Sequence, residues 1–409
     1  GQVASLAGHL DGHGTLPSPR SLAQRPWLDA IDRSGLRGRG GGAFPTALKM
    51  RAVAGARGRA IVVANGCESE PLSAKDALLL RELPHLVLDG AHLAARAVGA
   101  DEVILAHEHA NPLARASLEH ALAERRAACL DDVRFELFEA ADRFLTGQET
   151  ALVSQLNGGP AAPTFIPPRP THRGVRLRPT LIQNVETLAH LALIARHGPD
   201  WFRACGTATE PGSTLITLLG AVGGPGVYEI ERGTALSALL EAAGGVTGGT
   251  HGLLVGGYFG SWLRSDLLDH VELSNEGLAE HGASLGCGIV VALPADACPV
   301  AETVRVASYL AAETAHQCGP CVYGTAAIAR TLHGIAEGRP SRGAFDDLAR
   351  WNAELPGRGA CHLPNGLVSF VAGALRVFAT EFDDHARHGP CDACVAEPAL
   401  AVPIAGAGT

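Results

Sequence analysis

The chain has 409 residues, 46% of them hydrophobic and 18% charged, with a formal net charge of -9. This excludes a disordered chain, leaves room for roughly two to four domains, and argues against nucleic-acid binding, which needs clustered Lys and Arg to neutralise phosphate. No stretch approaches the roughly 20 apolar residues of a membrane span, and the N-terminus lacks the charged, apolar and small-residue progression of a signal peptide. A cytoplasmic protein is expected, with any membrane association coming through partner subunits.

Residues 21–34 read as a helix, after which glycine takes over. Ala60–Asn65 is a short apolar run bounded by turn residues, hence a buried strand. Pro84–Val98 reads as a helix, Glu102–Ala106 as a second strand, Asn111–Cys129 as an amphipathic helix, and Val133–Phe138 as a third strand. Strand–helix–strand–helix–strand implies a parallel sheet covered by helices, with ligands beyond the carboxyl ends of its strands. Ala161–Pro179 is an extended loop and Val185–His197 a helix. Thr214–Leu219 opens a β-rich unit: strand, Gly223–Gly226 turn, strand, helix over Ala235–Ala243, strand, then Gly256-Gly257. From Val304 to about Ala379 the chain reads as helices, interrupted at Cys318–Cys321 and Gly357–Pro364. The tail after Gly389 is rich in Pro and Ala and reads as irregular.

Four motifs carry chemistry. Gly35-Leu-Arg-Gly-Arg-Gly-Gly-Gly-Ala43 packs five glycines into nine residues, and such a run brings backbone N–H groups close to an anion. Arg37 and Arg39 add charge suited to phosphate. A helix starting near Pro45-Thr46 would aim its positive end at the same anion. This is not the dinucleotide fingerprint, since no strand precedes it. Asn65-Gly-Cys-Glu68-Ser-Glu70, followed by Lys75-Asp76, places an Asn and two carboxylates at a strand end, where they suit a ribityl chain, a flavin edge or a ribose. Thr146-Gly-Gln-Glu149-Thr150 is an acidic helix start. Asn184-Val-Glu186-Thr187 opens the next helix, with Asn184 as its cap.

In this order the motifs resemble the flavin-bearing, NADH-oxidising subunit of respiratory complex I and its relatives in NAD-linked hydrogenases and formate dehydrogenases, over about residues 33–365. The resemblance implies an α/β flavin-binding domain with a parallel sheet, a β-grasp domain and a C-terminal helical iron–sulfur domain. The expected boundaries are 1–211, 212–300, 301–384 and a Cys-containing tail, 385–409. It implies FMN, a 4Fe-4S cluster and NADH as substrate. Gly38, Arg39, Gly40, Gly41, Phe44, Lys49, Asn65, Glu68, Glu149, Asn184 and Thr187 stand where cofactor-contacting residues are expected, with Phe44 at the edge facing the nucleotide. Glu68 and Glu149 would hold the nucleotide and tune the flavin; no residue is read as a general acid or base. The match is uneven: Cys67 replaces an aspartate, Ala43 a glycine, Phe144 a tyrosine and Gln148 a glutamate. Around Pro167-Pro168, Ile166 and Arg169 stand in place of a lysine and a phenylalanine. Arg169 suits a 2′-phosphate, which raises NADPH as the alternative to NADH.

Of the family's cluster motif the chain keeps Cys318, Cys321 and Cys361, while Ala315 takes the place of the first cysteine. A cubane needs four ligands, so His316 or a tail cysteine, Cys391 or Cys394, is expected to complete it. A three-iron cluster, zinc or no metal are the alternatives, and a folded-back tail would either donate the missing thiolate or join another pair in a small zinc site. Cys129, Cys205, Cys287 and Cys298 read as isolated buried hydrophobes, and the histidines show no ligand spacing. The expected function is electron transfer from NAD(P)H through FMN to an iron–sulfur centre and then to a ferredoxin-like or other iron–sulfur redox subunit, in a complex that is membrane-associated in some relatives. The alternatives are a flavoprotein fed by ferredoxin with a vestigial NADH site, and a non-catalytic docking subunit.

Overall fold

The computed structural model describes residues 5–17 and 23–403. The chain divides into two compact units, the first made of residues 1–69, 74–215 and 229–232 and the second of the remainder.

The first unit begins with α1 (Leu6–His13), α2 (Gln24–Ser34) and α3 (Thr46–Ala54), then alternates strand and helix: β1 (Ala60–Gly66), α4 (Lys75–Glu82), α5 (Pro84–Val98), β2 (Ala100–Glu108), α6 (Pro112–Ala127), β3 (Arg134–Ala140), α7 (Glu149–Leu156), β4 (Thr180–Asn184), α8 (Val185–His197) and α9 (Pro199–Phe202). Residues 21 and 22, the expected start of α2, lie outside the described residues. The sheet order is β3-β2-β1-β4, and all three pairings are parallel. β1 alternates between two cores: Ala60, Val62 and Ala64 join one cluster, while Ile61 and Val63 join the other. That two-sided burial is what a continuous apolar run does in a helix-covered parallel sheet.

The sheet has one strand more than the expected three. Thr-Leu-Ile-Gln-Asn184 is too short for its pattern to separate it from the loop before it, and it becomes a strand only because β1 offers an unpaired edge. The chain runs from β1 to β2 on one side and later returns to β4 on the other. The β1/β4 gap is therefore the topological switch point, where open α/β sheets bind ligands.

Inside the helical layer the buried Asp89 of α5 meets Arg125 at 2.7 Å, Arg196 and His9. Burial opposes its ionisation, but these partners hold its carboxyl well below the usual range.

The chain continues with β5 (Ser213–Gly220) and β6 (Gly226–Glu231), whose residues 216–220 and 226–228 fall in the second unit, and then, within that unit, α10 (Leu236–Ala242), β7 (Thr250–Val255), β8 (Ser261–Arg264), α11 (Asn275–Ala279) and β9 (Ile289–Pro294). The five strands form a mixed sheet in the order β6-β5-β9-β7-β8. β5 pairs parallel with β9, and β7 pairs antiparallel with both β9 and β8. Then come the helices α12 (Pro299–Ala312), α13 (Ala326–Ala336), α14 (Ala344–Glu354), α15 (Leu363–Val377) and α16 (Ala379–His388), with a π-helical turn over Pro320–Thr325. Both expected interruptions of the helices are present, at 318–325 and 355–362. Among the described residues no single helix is long and apolar enough to cross a membrane; α15 and α16 pass that test only together, and they are bent by 84°.

Candidate flavin site and metal centres

The glycine-rich loop is closed at its base and open at its tip. Gly38 N–H donates to the Phe44 carbonyl and Thr46 N–H to that of Leu36, while Arg37 and Pro45 form an antiparallel bridge. Gly40, Gly41 and Gly42 form the exposed tip, and none of their N–H groups has a partner among the described residues. Such a row of open N–H groups at the start of a helix is an anion cradle. α3 begins at Thr46, as expected, and the buried Thr46 hydroxyl is likewise unpartnered among the described residues. A Cβ at Gly40 would stand 3.1 Å from the Asn184 Cβ, so the tip rests directly on the switch point. These open donors suit the phosphate and ribityl groups of FMN.

Asn65 and Asn184 are register partners on β1 and β4. Asn65 Nδ2 donates to the Gly147 carbonyl at 2.9 Å and its Oδ1 accepts from Cys67 N–H. Asn184 Oδ1 caps α8 through Glu186 N–H, and its Nδ2 donates to Asp76 at 2.6 Å. Thr187 Oγ1 accepts from Arg39 N–H at 2.9 Å, which ties the loop to α8. Lys49 and Glu149, both expected to contact the cofactor or nucleotide, form an ion pair. Phe44 is 49% exposed.

Two expected ligands are occupied elsewhere. Arg39 is 5% exposed, and its guanidinium donates to the Ser213 and Pro211 carbonyls, which secures the loop. Burial lowers its pKa to about 10. The Glu68 carboxylate accepts from Asp76 N–H and Ala77 N–H at 2.9 and 2.8 Å and so caps α4. Glu70, also quoted in the acidic turn, belongs to the second unit. It accepts from Tyr258 N–H at 2.9 Å, and burial of its carboxyl pushes it up to about 8.

Further charged groups, outside the expected ligand set, stand at this edge. Lys75 is 1% exposed and pairs with Asp76 at 2.7 Å and Glu186 at 2.9 Å. Burial pushes Asp76 up to about 7 although Lys75 opposes it, whereas Lys75 and His190 hold the buried Glu186 well below the usual range. Glu108 ends β2, and burial, with Glu68, Asp142 and Asp76 nearby, raises it to about 8. Its only sequence signal is its place at a strand's carboxyl end.

In the second unit Cys318, Cys321 and Cys361 come together at the two helix interruptions. Burial raises the Cys361 thiol and the charges of Cys321 and Cys318 raise it further, and Thr314 Oγ1 lies 2.7 Å from Cys321 Sγ. These thiols suit three corners of a cluster. His316 follows the vacated Ala315 position, is exposed and has φ 54°. Cys391 and Cys394 are elsewhere: they gather with Cys298 and His385, all four ligand atoms lying within 4.8 Å of one another. The tail therefore does not complete the Cys318–Cys321–Cys361 set, and Cys298 is not isolated. Cys129 is exposed, also against expectation.

Family models match the chain in order: the Nuo51 FMN-binding domain over residues 31–193, the SLBB domain over 215–254, and the NADH-ubiquinone oxidoreductase-F iron-sulfur binding region over 301–385. The F-type subunit of NADH-quinone oxidoreductase from Streptomyces coelicolor is 31% identical over 395 residues, covering 93% of this chain and 87% of that protein. The chain belongs to the NADH-quinone oxidoreductase F-type family. Among other relatives of this F-type chain, NADP-reducing hydrogenase subunit HndC of Solidesulfovibrio fructosivorans is 29% identical over 408 residues, covering 97% of this chain and 83% of that one. A chain of an NAD+-reducing NiFe hydrogenase superposes with a TM-score of 0.83 at 32% identity, covering 91% of this chain. The F-type chain spans 64% of that hydrogenase chain's length.

Proposed function

We propose that this protein is an NAD(P)H-oxidising flavoprotein subunit that passes electrons to an iron–sulfur centre and on to partner redox subunits. The observation that carries this is the open glycine tip resting on Asn184 at the β1/β4 switch point, in a chain of the F-type family. FMN and a 4Fe-4S cluster are its cofactors, and together they supply two-electron acceptance from a reduced nicotinamide and one-electron delivery to a partner. The residues' part is positional. Gly40–Gly42 offer N–H groups to the flavin phosphate, Asn65 and Asn184 fix the sheet edge beneath it, and the Lys49–Glu149 pair borders the site. Phe44 offers an exposed ring to the nucleotide.

Cys318, Cys321 and Cys361 hold the cluster, with His316 as the candidate fourth ligand. The mixed sheet with one crossing helix, together with the SLBB match, supports a β-grasp middle domain over 212–300 between the flavin domain (1–211) and the helical domain (301–384). We place the protein in the cytoplasm, reaching a membrane only through partner subunits.

An anaerobic visible spectrum before and after NADH, and separately NADPH, tests the reading. Flavin bleaching by either nucleotide is expected, and a preference for NADPH would assign Arg169 to the 2′-phosphate. Colourless protein that releases no flavin on heating would make it a docking subunit. A flavin reduced by ferredoxin alone would mean that Ile166 and Arg169 have cost it the nucleotide site.

A further inference from the structure

We propose that Cys298, His385, Cys391 and Cys394 bind one zinc ion that clasps the C-terminal tail to the helical region. Cys298 Sγ lies 3.4 Å from His385 Nε2 and 3.4 Å from Cys394 Sγ. Cys394 Sγ lies 3.6 Å from Cys391 Sγ and 3.9 Å from His385 Nε2. A tetrahedral zinc ion with Zn–S near 2.3 Å and Zn–N near 2.0 Å requires edges of about 3.8 Å between sulfurs and about 3.5 Å from sulfur to nitrogen. The four atoms therefore already approximate the tetrahedron of one ion. A cubane would spread its thiolates around four irons, far beyond such contact, so this is not a displaced part of the cluster site.

The surroundings orient the ligands as metal sites do. His385 Nδ1 lies 3.1 Å from the Ala336 carbonyl, which directs the Nδ1 proton there and leaves Nε2 free to ligate. Cys298 is the N-cap of α12 and its sulfur accepts from Ala301 N–H at 3.3 Å, so the helix end favours the thiolate. Cys394 N–H donates to the Cys391 carbonyl at 3.0 Å, closing the tight turn that presents both tail sulfurs. A borderline-soft set of three thiolates and one imidazole is a closed structural zinc site with no open position. Each thiol gives its proton to water as it ligates.

The clasp has a consequence a few residues on. Glu302 accepts from Ala399 N–H and Leu400 N–H at 3.0 Å, Tyr258 Oη donates to the Ala401 carbonyl, and the Leu400 side chain is fully buried. The ion fixes the start of a tail whose later residues are docked. Zinc has no redox chemistry, so the site lies outside the electron path.

Metal analysis of the full-length protein tests this. One zinc per chain is expected in the wild type and in Cys318→Ser/Cys361→Ser protein. Cys394→Ser should lower zinc by at least about tenfold with flavin and iron unchanged. Cys391→Ser, at the exposed ligand, gives the same readout should Cys394→Ser protein be insoluble. Cobalt substitution should give the intense visible bands of a tetrahedral thiolate site, lost in Cys391→Ser protein. Wild-type protein without zinc, zinc retained in both tail variants, iron lost in place of zinc, or a Cys391–Cys394 disulfide in the purified chain would each overturn the proposal.

Discussion

Asn65 and Asn184, far apart in sequence, stand side by side as register partners at the carboxyl ends of β1 and β4. Each spends its amide on the loops around it, Asn65 on Gly147 and Asn184 on Asp76 and the start of α8. The glycine loop rests on the Asn184 member of the pair, at Gly40. Asn184→Ala should lose the α8 cap, at about 1 kcal/mol, and most of the bound FMN. Flavin content per chain, read from the supernatant of heated protein, checks this. Full flavin content in that variant would remove Asn184 from the site.

Gly40→Ala separates binding from folding. Its Cβ would meet Asn184 Cβ at 3.1 Å in an exposed loop, so the loop must shift by a few tenths of an ångström. Weaker FMN binding is expected, by roughly tenfold or about 1.4 kcal/mol, with the melting temperature of the flavin-free protein nearly unchanged. Fluorescence titration with FMN gives the first number and calorimetry the second.

Lys75 is the cation between two buried carboxylates. Lys75→Met leaves Asp76 and Glu186 unneutralised, and breaking a buried pair on one side costs about 3–5 kcal/mol. Urea unfolding of the flavin-free protein should show that loss. Lys75→Met/Asp76→Asn should recover part of it, because one orphaned charge is removed.

Glu70 makes stability depend on pH. Its carboxyl is raised in the folded protein to about 8 from an ordinary 4.5, so folding takes up a proton between those values. The stabilisation is complete below about 4.5 and is lost as the pH rises through about 8. Asp76 and Glu108, also raised, act in the same direction. Glu70→Gln should flatten the fall in unfolding free energy between pH 5 and 9 by its one-proton share. An unchanged slope would show that Glu70 does not titrate there.

Cys361→Ser should remove the cluster and leave the flavin, since the two sites share no residue. The iron-dependent visible absorbance should disappear while the flavin bands persist. Loss of both would mean that Cys361 supports the fold and is not only a ligand.

The sequence by itself determined the local grammar. Its apolar runs and periodicities placed β1, β2, β3, α5, α6 and α8, because a run buried on both sides or on one helical face is written into consecutive residues. The glycine spacing marked an anion loop for the same reason: freedom of φ is a property of the residue. The tertiary structure decided what depends on neighbours far away in the chain. It made Thr180–Asn184 a strand by offering it the free edge of β1. It gave Arg39 and Glu68, expected beside the cofactor, partners that support a loop and a helix end, because buried carbonyls and open N–H groups need them. It also brought Cys298 and His385 to the tail's Cys391 and Cys394. No spacing rule reports that convergence, since the packing of α12 against α16 creates it.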